Sequence, residues 1–321
     1  MTRAVTIPEF GGPDVLRHAE VEPPRPGPGE IALDVECSGV NYAEVLFRQG
    51  LVDVPLPYVP GIEAAGRVRE LGPGVTGVEV GQRVAALTMT HGGGYGEVAV
   101  TDANLVVPVP ENLSTAEAAV IPSNTTTALL VLDAVARLRE GESVLVHAAA
   151  GGVGTQLGQV ARLLGAGRVV GTVGSAAKIE VARRSGYHEV LVREDFLRTA
   201  PRDEFDVVVD PVGGAVRRPG LDALRMGGRL IAMGNVSGGA DVAFDANELW
   251  FSGKGVLGFN LGGLSASRPQ EVGPALRRAV AEVAAGRIRV ELTGEFPAAQ
   301  AAQAHRELES GASTGKFVLH H

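Results

Sequence analysis

Three glycines, Gly151, Gly152 and Gly154, stand where the apolar run SVLVHAAA (143–150) gives way to residues with helical spacing. Glycine has no Cβ, so a phosphate can approach the backbone closely, and the first turn of the following helix offers N–H groups that lack intrahelical partners. The pattern therefore predicts a phosphate-binding turn between a strand and a helix. Such glycines also let a helix pack tightly on a sheet without any ligand, and the motif alone does not separate the two interpretations.

A second set of polar residues follows at a distance that is typical of dinucleotide sites. In these folds the end of the second strand lies about twenty residues beyond the glycine turn; an acidic residue there favours NAD and a basic one favours NADP. This stretch, VVGTVGSAAK (169–178), contains no carboxylate and ends with Gly174, Ser175 and Lys178. A hydroxyl and an ammonium group suit a 2′-phosphate, so NADPH is the predicted cofactor. Lys178 is otherwise a solvated lysine at the start of a helix, and Arg193 is either a second phosphate contact or a surface charge.

The elements that must position these residues fall into two regions. A chain of 321 residues predicts about two domains. Before residue 120, short alternating runs separated by Pro and Gly turns predict a β-rich domain. From Ser143 onwards, apolar runs alternate with helical patterns and predict a doubly wound parallel sheet, which makes the fold class α/β. The predicted strands are SVLVHAA, RVVGTVG, EVLV, FDVVVDPVG, GRLIAMGN and GVLGF. Periodicity alone does not place the segment after Arg268.

Composition and charge limit which molecules the protein is expected to bind and where it is expected to be located. A net charge of −8 argues against nucleic acid and anionic membranes as partners. No segment has the length of apolar sequence that a membrane span needs, and the N-terminal residues lack an apolar signal region, so the cytoplasm is the expected location. The single cysteine, Cys37, lies in an alternating run and is interpreted as a core residue.

Motifs along nearly the whole chain carry a family resemblance. The stretches GVNYAEVLFRQG, PYVPGIEAAGRV, GGGYGEVAV, the glycine turn with its helix, GTVGSAAK and GASTGKFVL occur in that order. With them the chain resembles the zinc-independent quinone oxidoreductase branch of the medium-chain dehydrogenase/reductase superfamily, which includes zeta-crystallin-like proteins. The resemblance implies a GroES-like catalytic domain at 1–120 and 268–321, a Rossmann NADPH-binding domain at 121–267, and a homodimer joined near GVLGFN.

The resemblance also implies roles for individual residues. Zinc-dependent relatives have a Cys where this chain has Asn41 and a His where it has Ile62, so no metal site is expected. Without those ligands, Glu63 is interpreted as a structural carboxylate paired with an arginine. The residues implied to lie around the nicotinamide or pyrophosphate are Asn41, Thr127, Gly151, Gly152, Val153, Asn235 and Phe259. Lys316 either approaches the cleft as a cofactor contact or stays at the surface.

The expected chemistry is hydride transfer from NADPH to a quinone or a related conjugated carbonyl. Asn41, Tyr42 and Glu44 are the candidate catalytic residues, because they are the polar groups nearest to where an acceptor would bind. Many relatives have a tyrosine where this chain has Val52. Its loss weakens an enoyl-thioester reductase assignment, since protonating carbon benefits from a positioned acid. The alternatives are an alkenal or enone reductase, or an NADPH-binding protein with little turnover.

Overall fold

The computed structural model describes residues 1–199 and 201–321. They form two compact units, which we call the split unit (Met1–Thr126 with Leu261–His321) and the central unit (Thr127–Asn260). From the sequence, domain borders are expected after residues 120 and 267; the borders of the compact units fall after Thr126 and Asn260.

The strands, in chain order, are β1 (Thr2–Thr6), β2 (Arg17–Val21), β3 (Glu30–Val40), β4 (Glu63–Leu71), β5 (Arg83–Leu87), β6 (Val98–Asp102), β7 (Val106–Pro108), β8 (Ser143–His147), β9 (Arg168–Val173), β10 (Glu189–Val192), β11 (Phe205–Asp210), β12 (Leu224–Ala232), β13 (Gly255–Gly258), β14 (Leu292–Pro297) and β15 (Lys316–His320). The α-helices are α1 (Tyr42–Arg48), α2 (Thr115–Ala119), α3 (Ile121–Leu129), α4 (Gly152–Leu163), α5 (Ile179–Arg184), α6 (Arg193–Thr199), α7 (Arg217–Asp222), α8 (Ala246–Ser252), α9 (Leu261–Ser267), α10 (Pro269–Ala284) and α11 (Ala301–Glu309). A π-helical stretch, Leu130–Val135, follows α3.

The split unit is held together by a sheet that combines strands from both ends of the chain. The strand order is β14-β15-β3-β4-β5-β7, and β6 also pairs with β3. Strand β15 runs antiparallel to β3, with Phe317 opposite Val40. This pairing places the segment after Arg268, which periodicity could not assign, in the same unit as the N-terminal strands. Because Lys316 begins β15 and Asn41 follows β3, the register brings these two residues together.

The central unit contains one parallel sheet in the order β10-β9-β8-β11-β12-β13. All six apolar runs that were predicted as strands form it. Val144–Val146 of β8 and Val207–Val209 of β11 are fully buried, as expected for central strands that are covered on both faces. The strand order changes direction between β8 and β11, and ligands of open α/β sheets bind beside the carboxyl ends of strands at such a point. The predicted α/β fold class is confirmed.

A search for membrane spans among the described residues finds no helix that combines the required length with sufficient apolar character.

Candidate active site

The glycine turn joins β8 to α4 in the central unit. Strand β8 ends at His147, Gly151 is the N-cap of α4 in an extended conformation, and the helix begins at Gly152 without a side-chain cap. A Cβ on Gly154 would lie 2.1 Å from the carbonyl oxygen of Ala148, so this glycine is required for the helix to pack on the strand. A Cβ on Gly151 would meet, among the described residues, only that same oxygen, at 3.4 Å. Helix packing therefore explains Gly154. It does not explain Gly151, where a Cβ would make only one contact at an ordinary distance.

Two cations lie close together at the end of β9. A Cβ on Gly174 would lie 3.6 Å from Nη2 of Arg193, and Arg193 begins α6 directly after β10. Burial and, to a smaller extent, the Arg193 guanidinium lower the pKa of Lys178. Nε of Arg193 is buried and has no hydrogen-bond partner in the part of the chain that the structure describes. A buried, partnerless donor beside a second cation is a position that an anion such as a 2′-phosphate would fit.

The predicted cofactor residues of the central unit share a place in the topology. Except for Thr127, each follows the carboxyl end of a parallel strand, and these ends meet at one edge of the sheet. They are Gly151, Gly152 and Val153 after β8, Gly174, Ser175 and Lys178 after β9, Arg193 after β10, Asn235 after β12 and Phe259 after β13. Thr127 is buried in α3. The amide of Asn235 already holds its own loop, since Nδ2 donates to the carbonyl oxygen of Gly239 at 2.9 Å.

Asp210 at the end of β11 was not singled out from the sequence. It is fully buried, and its Oδ1 accepts hydrogen bonds from the backbone N–H groups of Val212 and Gly213 at 2.8 Å. Its Oδ2 pairs with Nε of Arg217 at 2.8 Å. The carboxylate therefore fixes the turn beside the strand where the sheet order reverses. A carboxylate at the end of an apolar run, in FDVVVDPVG, is the sequence feature that could have pointed to it.

A buried polar cluster occupies the split unit where β3, β4 and β15 meet. Nζ of Lys316 donates to Oε1 of Glu63 at 2.7 Å, to Oδ1 of Asn41 at 2.6 Å and to the carbonyl oxygen of Val40 at 3.0 Å. Glu63 is fully buried and the Lys316 side chain is 6% exposed. The surface alternative for Lys316 is therefore wrong: three acceptors, one of them charged, compensate for the loss of water around its ammonium group.

Glu63 joins three segments of the split unit. Its Oε1 also accepts a hydrogen bond from Nδ2 of Asn41 at 2.9 Å, and its Oε2 accepts one from the backbone N–H of Ser123 at 2.8 Å. The expected arginine partner is wrong, since the cation is Lys316. A Cβ on Gly39 would lie 2.3 Å from Oε1, so the glycine of GVNYAEV is what allows the carboxylate to lie against β3.

Tyr42 and Glu44, the other candidate catalytic residues, belong to the first turn of α1. Glu44 is fully buried; its Oε2 accepts from the backbone N–H of Asn41 at 2.9 Å and its Oε1 from that of Ile62 at 3.0 Å. Burial raises the pKa of Glu44 to about 7, although Lys316 opposes the shift. Tyr42 is half-buried, and burial followed by the charge of Glu309 raises its pKa. Both oxygens of Glu44 thus already bind backbone groups, and its catalytic role stays a prediction.

A second buried network fixes α1 against α11. Nε of Arg48 donates to Nδ1 of His305 at 3.4 Å, and Nε2 of His305 lies 3.1 Å from the hydroxyl of Tyr95. Arg48 also pairs with Glu309 at 2.5 Å. Burial and then the charge of Arg48 lower the pKa of His305 to about 3, so the ring is neutral. Asn41, Tyr42 and Glu44 are consequently carried on a helix whose position is set by the C-terminal segment.

Among the described residues, no group of three or more His, Cys, Asp or Glu side chains is arranged to hold a metal ion. Cys37 is buried, and burial raises the pKa of its thiol to about 11, as suits a core residue. His91, at the start of the glycine run, is half exposed and its Nε2 lies 2.8 Å from Oε1 of Glu30.

A parallel sheet with a glycine turn at its switch point, joined in one chain to a separate β-rich unit, is the architecture of a two-domain dehydrogenase or reductase. Residues 27–111 match the alcohol dehydrogenase GroES-like domain, and residues 186–319 match the zinc-binding dehydrogenase family. The predicted GroES-like unit is thereby confirmed.

Relatives that match over nearly the whole chain identify the kind of dehydrogenase or reductase more closely. The quinone oxidoreductase of Pseudomonas aeruginosa is 33% identical over 99% of both chains, and that of the rat is 32% identical over 99% of this chain and 98% of the rat protein. The solved structure of Escherichia coli quinone oxidoreductase complexed with NADPH has a TM-score of 0.88 at 30% identity and covers 99% of this chain and all of the other. The chain belongs to the quinone oxidoreductase branch of the medium-chain dehydrogenase/reductase superfamily.

Proposed function

We propose that the protein is an NADPH-dependent reductase that transfers a hydride to a quinone or a related conjugated carbonyl. The observation that carries the proposal is the pair of cations at the end of β9: Arg193 lies beside Gly174, its charge acts on Lys178, and its buried Nε has no hydrogen-bond partner among the described residues. A carboxylate at this position would select NAD, whereas two cations favour the extra phosphate of NADP. The E. coli relative was solved with NADPH, which supports the same cofactor.

NADPH, when bound, supplies the hydride. The protein's own part is to hold the dinucleotide and to orient the acceptor in a place that excludes water. On the central unit, Gly151 and Gly152 would border the pyrophosphate, and Lys178 with Arg193 would hold the 2′-phosphate. On the split unit, Asn41 and Tyr42 are the candidate groups for the acceptor oxygen.

The acceptor class follows from Val52. Its side chain is 41% exposed, and it offers no proton. Reduction of a quinone ends on oxygen, which takes its proton from water, whereas an enoyl thioester must be protonated on carbon and benefits from a positioned acid. A quinone therefore suits this chain better than an enoyl thioester. The names of the full-length relatives support a quinone as acceptor.

The test is oxidation of NADPH and NADH, followed at the nicotinamide absorbance, with a benzoquinone, a naphthoquinone, an alkenal and an enoyl thioester as acceptors. We expect turnover with NADPH and a quinone, and a lower kcat/KM with NADH. Turnover confined to the alkenal would favour the enone reductase alternative. Tight NADPH binding without turnover on any acceptor would favour the alternative of a cofactor-binding protein.

We also propose that two copies associate through the free edge of β13. Four large apolar side chains near this edge are exposed, namely Met226, Trp250, Phe251 and Leu257. The rings of Trp250 and Phe251 stack with centroids 4.7 Å apart, and a Cβ on Gly253 would lie 3.0 Å from Cγ of Met226. Apolar side chains grouped in this way beside the edge strand of a sheet favour a second copy as the partner. The cytoplasmic location stays a prediction.

A further inference from the structure

The side-chain amide of Asn41 has one chemically permitted orientation. Lys316 Nζ, 2.6 Å from one amide atom, can only donate, so that atom must be the oxygen. The Glu63 carboxylate, ion-paired with Lys316, can only accept, so the amide atom 2.9 Å from it must be the nitrogen. If the amide were flipped, its NH₂ group would face the ammonium group of Lys316 and its oxygen would face the carboxylate of Glu63. Donor would then face donor and acceptor would face acceptor. The ion pair therefore sets which way the amide faces.

This orientation leaves one hydrogen of Asn41 uncommitted. Nδ2 carries two hydrogens, of which one is bonded to Glu63, and the other has no acceptor in residues 1–199 or 201–321. The residue is 9% exposed, so its surroundings are largely free of water. All three hydrogens of Lys316 Nζ, in contrast, have acceptors on Val40, Asn41 and Glu63. Lys316 is thus not placed to give a proton to an acceptor, whereas Asn41 retains a donor.

We propose that Lys316 and Glu63 are positioning residues that hold Asn41 as a fixed hydrogen-bond donor to the carbonyl oxygen of the acceptor. The inference rests on the proposed function and deepens it, because it restricts the substrates that accept the hydride to molecules with a carbonyl oxygen on which negative charge develops.

The chemistry follows from the electron count. A hydride brings two electrons to the conjugated system, the carbonyl π electrons move to oxygen, and NADPH becomes NADP⁺. The oxygen carries the new negative charge until it takes a proton from water. An N–H that is held in a fixed direction would stabilise this charge without rearranging, and losing one such donor typically lowers kcat by about 10²- to 10³-fold.

The test is a double-mutant cycle on kcat with NADPH and a quinone, using Asn41→Ala, Lys316→Gln and the double variant. We expect Asn41→Ala to lower kcat on the order of 10²-fold and Lys316→Gln to lower it less, with the dissociation constant of NADPH, measured by fluorescence titration, unchanged in both. If Lys316 acts through Asn41, the double variant has the kcat of Asn41→Ala alone. Additive losses would overturn the proposal, because they would mean that Lys316 acts independently.

Lys254→Gln is the matched control. Nζ of Lys254 also bonds two backbone carbonyls, those of Leu221 and Asp222, and pairs with Asp203 at 3.3 Å. Its carboxylate partner is 70% exposed, unlike Glu63, so the variant controls for the loss of a half-buried lysine and its hydrogen bonds and should leave kcat unchanged. A further variant, Asn41→Asp, keeps an acceptor for Lys316 but has no N–H, so it tests the donor even if Lys316→Gln does not fold. Wild-type turnover in Asn41→Asp would overturn the proposal.

The outcome separates this inference from the function on which it rests. A wild-type protein that oxidises no NADPH with any acceptor overturns both proposals. If the wild-type protein turns over and both Asn41→Asp and Asn41→Ala have the kcat of the wild type, only the role of the amide is overturned.

Discussion

Lys178 and Arg193 are brought within electrostatic range of each other at the end of β9, although they belong to different helical segments of the central unit. Burial and the guanidinium of Arg193 lower the pKa of the Lys178 ammonium. Two like charges held together destabilise each other, and an anion between them removes that cost. The proposed 2′-phosphate of NADPH would supply such an anion.

Lys178→Glu should reverse or abolish the preference for NADPH over NADH. The carboxylate would repel the 2′-phosphate and leave the ribose hydroxyl of NADH unaffected. A charge-assisted hydrogen bond contributes about 1.5–3 kcal/mol, so the ratio of kcat/KM values should change on the order of 10- to 100-fold. Arg183→Glu, an exposed residue in the last turn of α5 with the same charge change, is the control. An unchanged ratio in Lys178→Glu would place the phosphate site elsewhere.

Gly154→Ala should destabilise the central unit even though alanine favours helices by up to about 1 kcal/mol. Its Cβ would lie 2.1 Å from a backbone oxygen of Ala148, which cannot move aside as a flexible side chain would. Overpacking of this kind costs about 1–3 kcal/mol, so the clash outweighs the propensity. Thermal unfolding measures the loss, with Gly151→Ala as the control expected to stay near the wild type.

Gly152→Val should instead weaken NADPH binding, and undiminished affinity would contradict the ligand role of the turn.

The fold and the central site are largely predictable from local sequence. Apolar runs predicted all six parallel strands, most clearly β8 and β11, whose central residues are buried on both faces. The spacing from the glycine turn predicts Lys178 as a phosphate contact by the same local logic, and this role stays a prediction. That packing requires Gly154 and not Gly151 was not predictable, since it depends on how close the carbonyl oxygen of Ala148 comes to each of them.

The buried ion pair in the split unit was not predictable from local sequence. Lys316 and Glu63 are 253 positions apart, and a single lysine in STGKFVL has nothing in its neighbourhood that indicates burial. Only the pairing of β15 with β3 brings its ammonium group to Asn41. The same holds for Arg48 and His305, which meet through contacts between α1 and a helix near the other end of the chain.

Stability should decrease below pH 6.5 because His305 is held neutral. Its folded pKa of about 3 lies below the ordinary histidine value of 6.5, so the unfolded chain binds a proton that the folded chain does not over this range. The stability that the neutral ring contributes is fully present above pH 6.5 and is lost by about 1.4 kcal/mol per pH unit as the pH falls towards 3. His305→Gln should remove the contribution of this ring while retaining polar atoms for Arg48 and Tyr95.

The measurement compares chemical denaturation of the wild type and His305→Gln at several pH values. Above pH 6.5 the difference between the two unfolding free energies should be constant, and between pH 6.5 and 5 it should shrink. Equal slopes throughout the acid range would mean that His305 is protonated in the folded protein. His147, whose pKa burial lowers to about 4, should act in the same direction and remains in both proteins.

Trp250→Glu should convert the proposed dimer to a monomer. Trp250 is 73% exposed and stacks on Phe251, so a charge there would be buried against the second copy without a partner. Sedimentation velocity gives the mass directly. Val80→Glu, which charges an exposed apolar residue of the split unit, should leave the mass unchanged. A wild-type monomer at micromolar concentration would contradict the interface.

Val52→Tyr should raise the rate with an enoyl thioester while leaving quinone turnover nearly unchanged. Val52 is 41% exposed, so a phenol can replace it without overpacking a core. A positioned acid contributes about 10²- to 10⁴-fold when carbon must be protonated, and it is not needed when oxygen takes its proton from water. Leu51→Tyr, one position away and 69% exposed, adds the same ring at a neighbouring position and is the matched control. An equal gain in both variants would mean that added aromatic surface, rather than proton donation, is responsible. No gain in Val52→Tyr would mean that the missing phenol is not what limits reduction of carbon acceptors.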